Sequence, residues 1–157
     1  MDHEVESFRR FIFGTIEKLV EQLEGLSEED LNWRPDAPET NSLCVITTHV
    51  LANAEENILG VLCERPVRRV RDDEFATRGV TGKVHEHWLT LRERIDAAFE
   101  TLPAGDLDRV RQHPRRGPLA GREILLVVAR HAAEHWGEAQ LTSSLLRARR
   151  SRAPGSG

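Results

Sequence analysis

Two histidines four residues apart lie in the last long segment with an apolar pattern. Ile124, Val127 and Val128 define an apolar stripe, and steps of three and four residues continue it through His131 and His135. Residues four apart on a helix lie one turn from each other on the same face, so the two imidazoles can converge on one ion. The spacing therefore predicts a pair of metal-ligating histidines that face the protein interior.

A third histidine interrupts the apolar face of an earlier helical segment. Between Leu43 and Val61 an otherwise apolar stripe passes through His49, Asn53 and Asn57. A buried polar group without a hydrogen-bond partner costs about 1 to 3 kcal/mol, so a polar residue at such a position is expected to have a bonding partner or a function. We therefore expect His49 to face the interior, together with the histidine pair.

Three inward histidines from two helices match the ligand set of catalytic metal sites, which keep one coordination position open. We expect zinc because of its availability, although nickel and iron suit imidazole ligands nearly as well. The alternative interpretation is a metal-free cluster of hydrogen-bonded core histidines. His85 and His87 are expected at the surface, and neither His3 nor His113 is expected to belong to the site.

Residues 131–135 read HAAEH, which matches the H-x-x-E-H pattern of inverted zinc peptidases with Glu134 as general base. That enzyme class needs a distant downstream carboxylate, but only 22 residues follow His135 and Glu138 is the only acidic one. It also needs a groove or sheet for an extended substrate, and no strand is predicted. The pattern therefore does not indicate a peptidase. Glu134 is a candidate for orienting a ligand or moving a proton, although its place off the stripe favours exposure to water.

Four segments with helical apolar spacing are expected to position these residues. Ser27 with Asp30 predicts a short capped turn after the first segment, Thr81 is the expected N-cap of the third, and Pro118 suits the first turn of the fourth. The first segment is expected to stop near Gly25. The predicted boundaries are residues 5–26, 41–63, 81–103 and 117–149.

The connections over residues 64–80 and 104–118 are charged, contain few apolar residues and are expected to be long loops. No run of alternating β-branched residues predicts a strand. We therefore predict an all-α four-helix bundle, in a single domain over residues 1–150 with a disordered tail at 151–157.

The composition excludes several functional classes. A net charge of −4 gives no bulk attraction to nucleic acid or an anionic membrane, so neither is an expected partner. The two cysteines, Cys44 and Cys63, cannot define a disulfide framework, which favours a reducing compartment. The charged N-terminus lacks the apolar core of a signal peptide, and no stretch approaches the ~20 apolar residues of a membrane span. We expect a cytoplasmic protein.

Two stretches of the chain resemble a known family. Residues 25–62, GLSEEDLNWRPDAPETNSLCVITTHVLANAEENILGVL, contain a Trp-Arg-Pro run, an Asn-Ser cap and a histidine two turns into the helix. Residues 123–147, EILLVVARHAAEHWGEAQLTSSLLR, carry two histidines four apart, followed by a small residue and a glutamine. The ordered pair resembles the second and last helices of the DinB-like (YfiT-like) metalloprotein superfamily.

The resemblance implies an up-down-down-up four-helix bundle, often a homodimer, whose metal triad falls on the same three histidines. It implies a metal-dependent enzyme for a small-molecule substrate. The reaction would be hydrolysis or S-transfer with a small thiol cofactor, such as bacillithiol, mycothiol or glutathione. Under this function Glu134 and Asn53 are the candidate catalytic residues, and Asn57 and Glu56 are the candidate cofactor-binding residues.

Two other functions fit the same residues. The first is a non-catalytic stress-response protein that binds a metal or ligand through the same bundle. The second is a structural bundle in which polar core positions fix the register of the helices.

Overall fold

Most of the chain is helical, as the apolar spacing predicts. The computed structural model describes residues 3–103 and 105–152. In chain order the elements are α1 (His3–Glu21), α2 (Glu28–Leu31), α3 (Leu43–Ala54), α4 (Arg71–Phe75), α5 (Thr81–Glu100), β1 (Val110–His113), β2 (Gly117–Ala120) and α6 (Gly121–Arg152). Among these described helices, none combines the length and apolar character needed to cross a bilayer.

Helix α3 does not end at Ala54, because residues Glu55–Leu62 continue it as a π-helical segment. Its start is fixed by Ser42, whose hydroxyl accepts a hydrogen bond from the backbone N–H of Val45 at 3.2 Å. Its end lies at Cys63, whose N–H donates to the carbonyl of Ile58, five residues earlier. The predicted boundaries of 41–63 are confirmed, and a single rod carries both His49 and Asn57.

The connection before α6 corrects the prediction of a loop over residues 104–118. It contains an antiparallel hairpin in which Val110 pairs with Ala120 and His113 pairs with Gly117. Helix α6 accordingly begins at Gly121, and Pro118 lies in β2 instead of the first helical turn. The fold is therefore mostly helical with a small sheet, and the all-α prediction was wrong for this segment.

The hairpin escaped prediction because of the residues on its inner face. Arg111 and His113 are the buried positions of β1, whereas its only apolar residue, Val110, is exposed. The Arg111 guanidinium pairs with the carboxylate of Asp106 and donates to the Asp106 carbonyl at 2.9 Å. A strand that buries polar side chains has no apolar alternation, which is the pattern that sequence inspection detects.

Three smaller predictions also change. The connection over residues 64–80 contains the short helix α4. The N-cap of α5 is Val80, not Thr81. Helix α6 extends to Arg152, two residues into the predicted disordered tail, and residues 153–157 lie outside the part that the structure describes.

Helix α1 packs between α5 and α6 through the apolar core. Trp88 of α5 lies edge-to-face on Phe13 of α1, with ring centroids 5.5 Å apart. Both rings are buried, at 2% and 4% exposure, and aromatic pairs of this geometry add about 0.5 to 1.5 kcal/mol to the burial of their area. The short helix α2 is confirmed where Ser27 caps it, by accepting a hydrogen bond from the Asp30 N–H at 3.2 Å.

The start of α6 is held by a close backbone contact at Gly121. A Cβ placed on Gly121 would lie 2.6 Å from the carbonyl oxygen of Asp106 and 2.9 Å from the Cα of Leu107. Here the N–H groups of Gly121 and Arg122 donate to the carbonyls of Arg109 and Leu107, which satisfies two helix-start donors. Only glycine permits this approach.

We predict that Gly121→Ala lowers the free energy of unfolding by about 1 to 3 kcal/mol, because a methyl group would push against backbone atoms. Gly137→Ala, on the same helix with open space around it, is the matched control and should stabilise the protein by up to about 1 kcal/mol. Urea denaturation measures both. Equal stability changes in the two variants would contradict the packing at Gly121.

Candidate metal centre

The structure brings together the three histidines that the spacing selects. His49 lies in the second turn of α3, and His131 and His135 lie one turn apart near the middle of α6. Their ring centroids are 4.4 to 4.9 Å apart, and one ligand nitrogen from each lies within 4.8 Å of the others. The Nε2 atoms of His49 and His131 are separated by 3.0 Å.

Glu74 fixes the proton of His49. Its carboxylate Oε2 lies 2.6 Å from Nδ1 of His49, and both side chains are buried. Burial would raise the pKa of Glu74, but hydrogen bonds from Arg69 and His49 hold it below its ordinary value. An ionised carboxylate only accepts hydrogen bonds, so Nδ1 of His49 carries the proton and Nε2 presents a lone pair.

Glu138 does the same for His135 from one turn further along α6. Its Oε2 lies 2.7 Å from Nδ1 of His135, and its Oε1 accepts a hydrogen bond from the amide of Asn41 at 3.3 Å. The hydrogen bond from His135 is the main reason why the pKa of Glu138 lies below its ordinary value. This contact holds the ring of His135 beside those of His49 and His131.

The third ring, His131, lies against both of the others, with ring centroids 4.8 Å from His49 and 4.4 Å from His135. Burial, with smaller contributions from His135 and His49, lowers the pKa of His131 to about 2, so this imidazole is neutral and has one proton. Burial also lowers the pKa of His49. Nδ1 of His131 has no hydrogen-bond partner among the described residues, so contacts within this part of the chain do not satisfy the cluster fully.

This donor set fits a divalent transition metal. Neutral imidazoles are the ligand form that such ions require, and a carboxylate on the outer ring nitrogen is the usual support of a ligating histidine. His49 is 5% exposed, while His131 and His135 are half-buried, so the centre is open on the α6 side. The residues present could hold an ion and leave room for another ligand.

Arg69 links the metal centre to a second acidic residue. Its Nε and Nη2 atoms donate to Glu74 at 2.6 and 2.9 Å, and its Nη1 donates to Glu56 at 2.8 Å. The side chain of Arg69 is 5% exposed and balances the charge of one buried carboxylate, Glu74, and one partly buried carboxylate, Glu56. Removal of one partner from a buried ion pair of this kind costs about 3 to 5 kcal/mol.

The structure places the predicted cofactor-binding residues in contacts within the protein. Arg69 and Arg115 both pair with Glu56, and these bonds outweigh burial and lower its pKa to about 2. Asn57 donates to the Asn53 carbonyl at 2.8 Å, and its Oδ1 lies 3.0 Å from Nε2 of His113. Their cofactor-binding roles stay predictions.

The two candidate catalytic residues lie in different surroundings. Asn53 is 7% exposed, one turn from His49, and its Oδ1 has no partner in the described part of the chain. Glu134 has a side chain 60% exposed and pairs with Arg130 at 3.5 Å, so the structure does not bring it to the three rings. This placement agrees with the exposure that its spacing favours.

Three residues of this network were missed in the sequence. Glu138 had a usable signal, since an acid three residues after a helical histidine lies beside it. Glu74 had none, because it lies in a charged connection 25 residues from His49. His113 is buried, not in a loop, and its ring lies between Asn57 and the N–H of Arg115, which donates to its Nδ1 at 3.1 Å.

We predict that Glu138→Gln raises the dissociation constant for zinc by about 10- to 100-fold, because the amide no longer supports His135 with a negative charge. Glu134→Gln changes the same residue type one turn earlier on the same helix, at an exposed position, and should leave the constant unchanged. Competition with a chromophoric chelator measures both. Equal affinities in the wild type and both variants would contradict the role of Glu138.

A comparison with models of protein families gives a match over most of the chain. The sequence model of the DinB superfamily matches residues 14–139, which include all three histidines and both supporting carboxylates. A comparison with curated proteins finds no match. Because the family match covers most of the chain, this protein belongs to the DinB superfamily.

Proposed function

We propose that this protein is a metal-dependent enzyme that acts on a small molecule, by S-transfer with a thiol cofactor or by hydrolysis. The observation that carries the proposal is the convergence of three imidazole rings, two of which are held by a carboxylate at Nδ1. Three imidazoles in this arrangement offer a cation the ligand set of a metal centre that keeps one position open. Family membership supports the proposal independently.

The chain's own residues have distinct tasks in this proposal. His49, His131 and His135 hold the ion, and Glu74 and Glu138 keep the outer protons in place so that the inner nitrogens face it. When bound, a divalent metal lowers the pKa of a coordinating thiol or water and so provides a nucleophile near neutral pH. We favour zinc, with nickel or iron as alternatives.

The proposed active site opens beside α6. The side chain of His135 is 24% exposed, whereas that of His49 is 7% exposed and lies behind it. A small molecule can therefore approach from the half-buried rings. We keep Asn53 as a candidate catalytic residue, because its buried Oδ1 is free to accept a hydrogen bond. Glu138 lies nearer the rings than Glu134 and is the better candidate for a proton-carrying group.

We also propose the up-down-down-up order for the four long helical segments, α1, α3 with its π continuation, α5 and α6. Glu4 of α1 pairs with Arg122 at the start of α6, which supports a parallel pair. Arg9 near the start of α1 pairs with Asp96 near the end of α5, which supports an antiparallel pair. The end of the π segment at Leu62 contacts Gly121, which supports opposite directions for α3 and α6.

The direct test measures metal content and turnover on the same protein samples. Protein purified without a histidine tag should retain about one equivalent of metal, and His131→Ala should fall below about 0.2 equivalents. The wild type should consume a thiol in the presence of an electrophile, or cleave an ester or amide, and the variant should lose this activity. His85→Ala, at an exposed position of α5, is the control and should match the wild type.

Metal binding without any turnover across the panel would support the non-catalytic binding protein instead. Absence of metal from the wild type, with stability unchanged by replacement of the three histidines, would support the structural bundle.

A further inference from the structure

A small polar cavity lies beside the metal centre. It has a volume of about 290 Å³ and lies between the segment after α2, the first turn of α3 and the end of α4. Polar side chains from all three segments line it, among them Asn32, Arg34, Asn41, Ser42 and Arg78. At ~30 Å³ for each water, this space takes a short-chain molecule and excludes a folded peptide or a nucleotide.

Two contacts join the cavity to the histidines. Phe75 lines the cavity, and its ring centroid lies 5.2 Å from that of His49. On the other side Asn41 lines it and donates to Glu138, which holds His135. Val45, also in the cavity wall, precedes His49 by one turn, a rise of about 6 Å along α3. Phe75 and Asn41 thus contact both the cavity and the residues of the metal centre.

The cavity carries unbalanced positive charge. Arg34 and Arg78 both line it, and neither has a carboxylate or hydrogen-bond partner among the described residues. Asn32, in contrast, has its amide fully used by the backbone of Glu28 and Gly79. Ser42 caps the N-terminal end of α3 in the same wall, and the partial positive charge of a helix start adds to that of the two guanidiniums.

The two arginines select the chemistry of the ligand. Glu74 precedes Phe75 and Glu138 contacts Asn41, so two carboxylates flank the side of the cavity nearer the histidines. Guanidinium groups bind carboxylates through paired, charge-assisted hydrogen bonds. The local charges thus favour a carboxylate.

We propose that this cavity binds the carboxylate of a small molecule whose other end reaches the metal centre, with Arg34 and Arg78 as the specificity-determining residues. The inference rests on the proposed function, because the metal centre supplies the second point of attachment. Under this proposal the substrate or thiol cofactor is a short carboxylic acid.

The test uses cobalt-loaded protein and two small thiols, 3-mercaptopropionate with a carboxylate and 2-mercaptoethanol without one. Calorimetry gives the two dissociation constants, and the visible spectrum of cobalt reports contact of the thiol with the metal. We expect the carboxylate-bearing thiol to bind at least about 10-fold more tightly, since hydrogen bonds to charged groups have this effect. Arg34→Gln combined with Arg78→Gln should abolish the difference, and Arg10→Gln, an exposed arginine of α1 outside the cavity, should preserve it.

The two readouts separate this inference from the proposed function. Arginine-dependent binding without a change in the cobalt spectrum would overturn the link between the cavity and the metal centre, while the metal content and turnover of the wild type test the proposed function separately. A cobalt spectrum that changes equally with both thiols, at equal affinities, would overturn the cavity proposal. So would binding of neither thiol, or a preference for the carboxylate that survives in the double variant. Thermal denaturation of each variant confirms that its fold is intact.

Discussion

The placement of protons on three imidazoles is the constraint on which the rest of this structure depends. Two buried or partly buried carboxylates hold the outer protons of His49 and His135, and burial keeps His131 neutral. The three rings then converge, and Nδ1 of His131 has no hydrogen-bond partner among the described residues. A bound cation would give the three imidazoles a common partner.

The surrounding elements serve this arrangement. Helix α4 carries Glu74 to His49, and Arg69, just before it, compensates for the charge of Glu74 while it also binds Glu56. The hairpin buries His113 against Asn57 on the π-helical segment. This contact attaches the connection over residues 104–118 to the continuous helix formed by α3 and the π-helical segment. Both connections, which are highly charged in sequence, are thus ordered by ion pairs that converge around α3 and its continuation. The apolar core orients the helices, and the polar network sets the chemistry of the site.

The helices and the three histidines could be predicted because their signals are local. Apolar spacing of three and four residues marks a helix face, and His131 and His135 lie on such a face four residues apart. The hairpin could not be predicted, because its inward side chains are polar and form their bonds only in the folded state. Glu74 was equally hidden, since its contact with His49 depends on tertiary packing of a charged segment. The carboxylates that tune a site are less visible in sequence than its ligands.

X-ray absorption at the zinc edge, on zinc-loaded protein that carries no tag, reports directly which atoms bind the ion. We expect three imidazole nitrogens at about 2.0 to 2.1 Å and a fourth light atom that an added ligand can replace. His49→Ala should remove one imidazole contribution or release the metal. A spectrum with sulfur from Cys44 or Cys63, or one unchanged when any of the three histidines is replaced, would contradict the account.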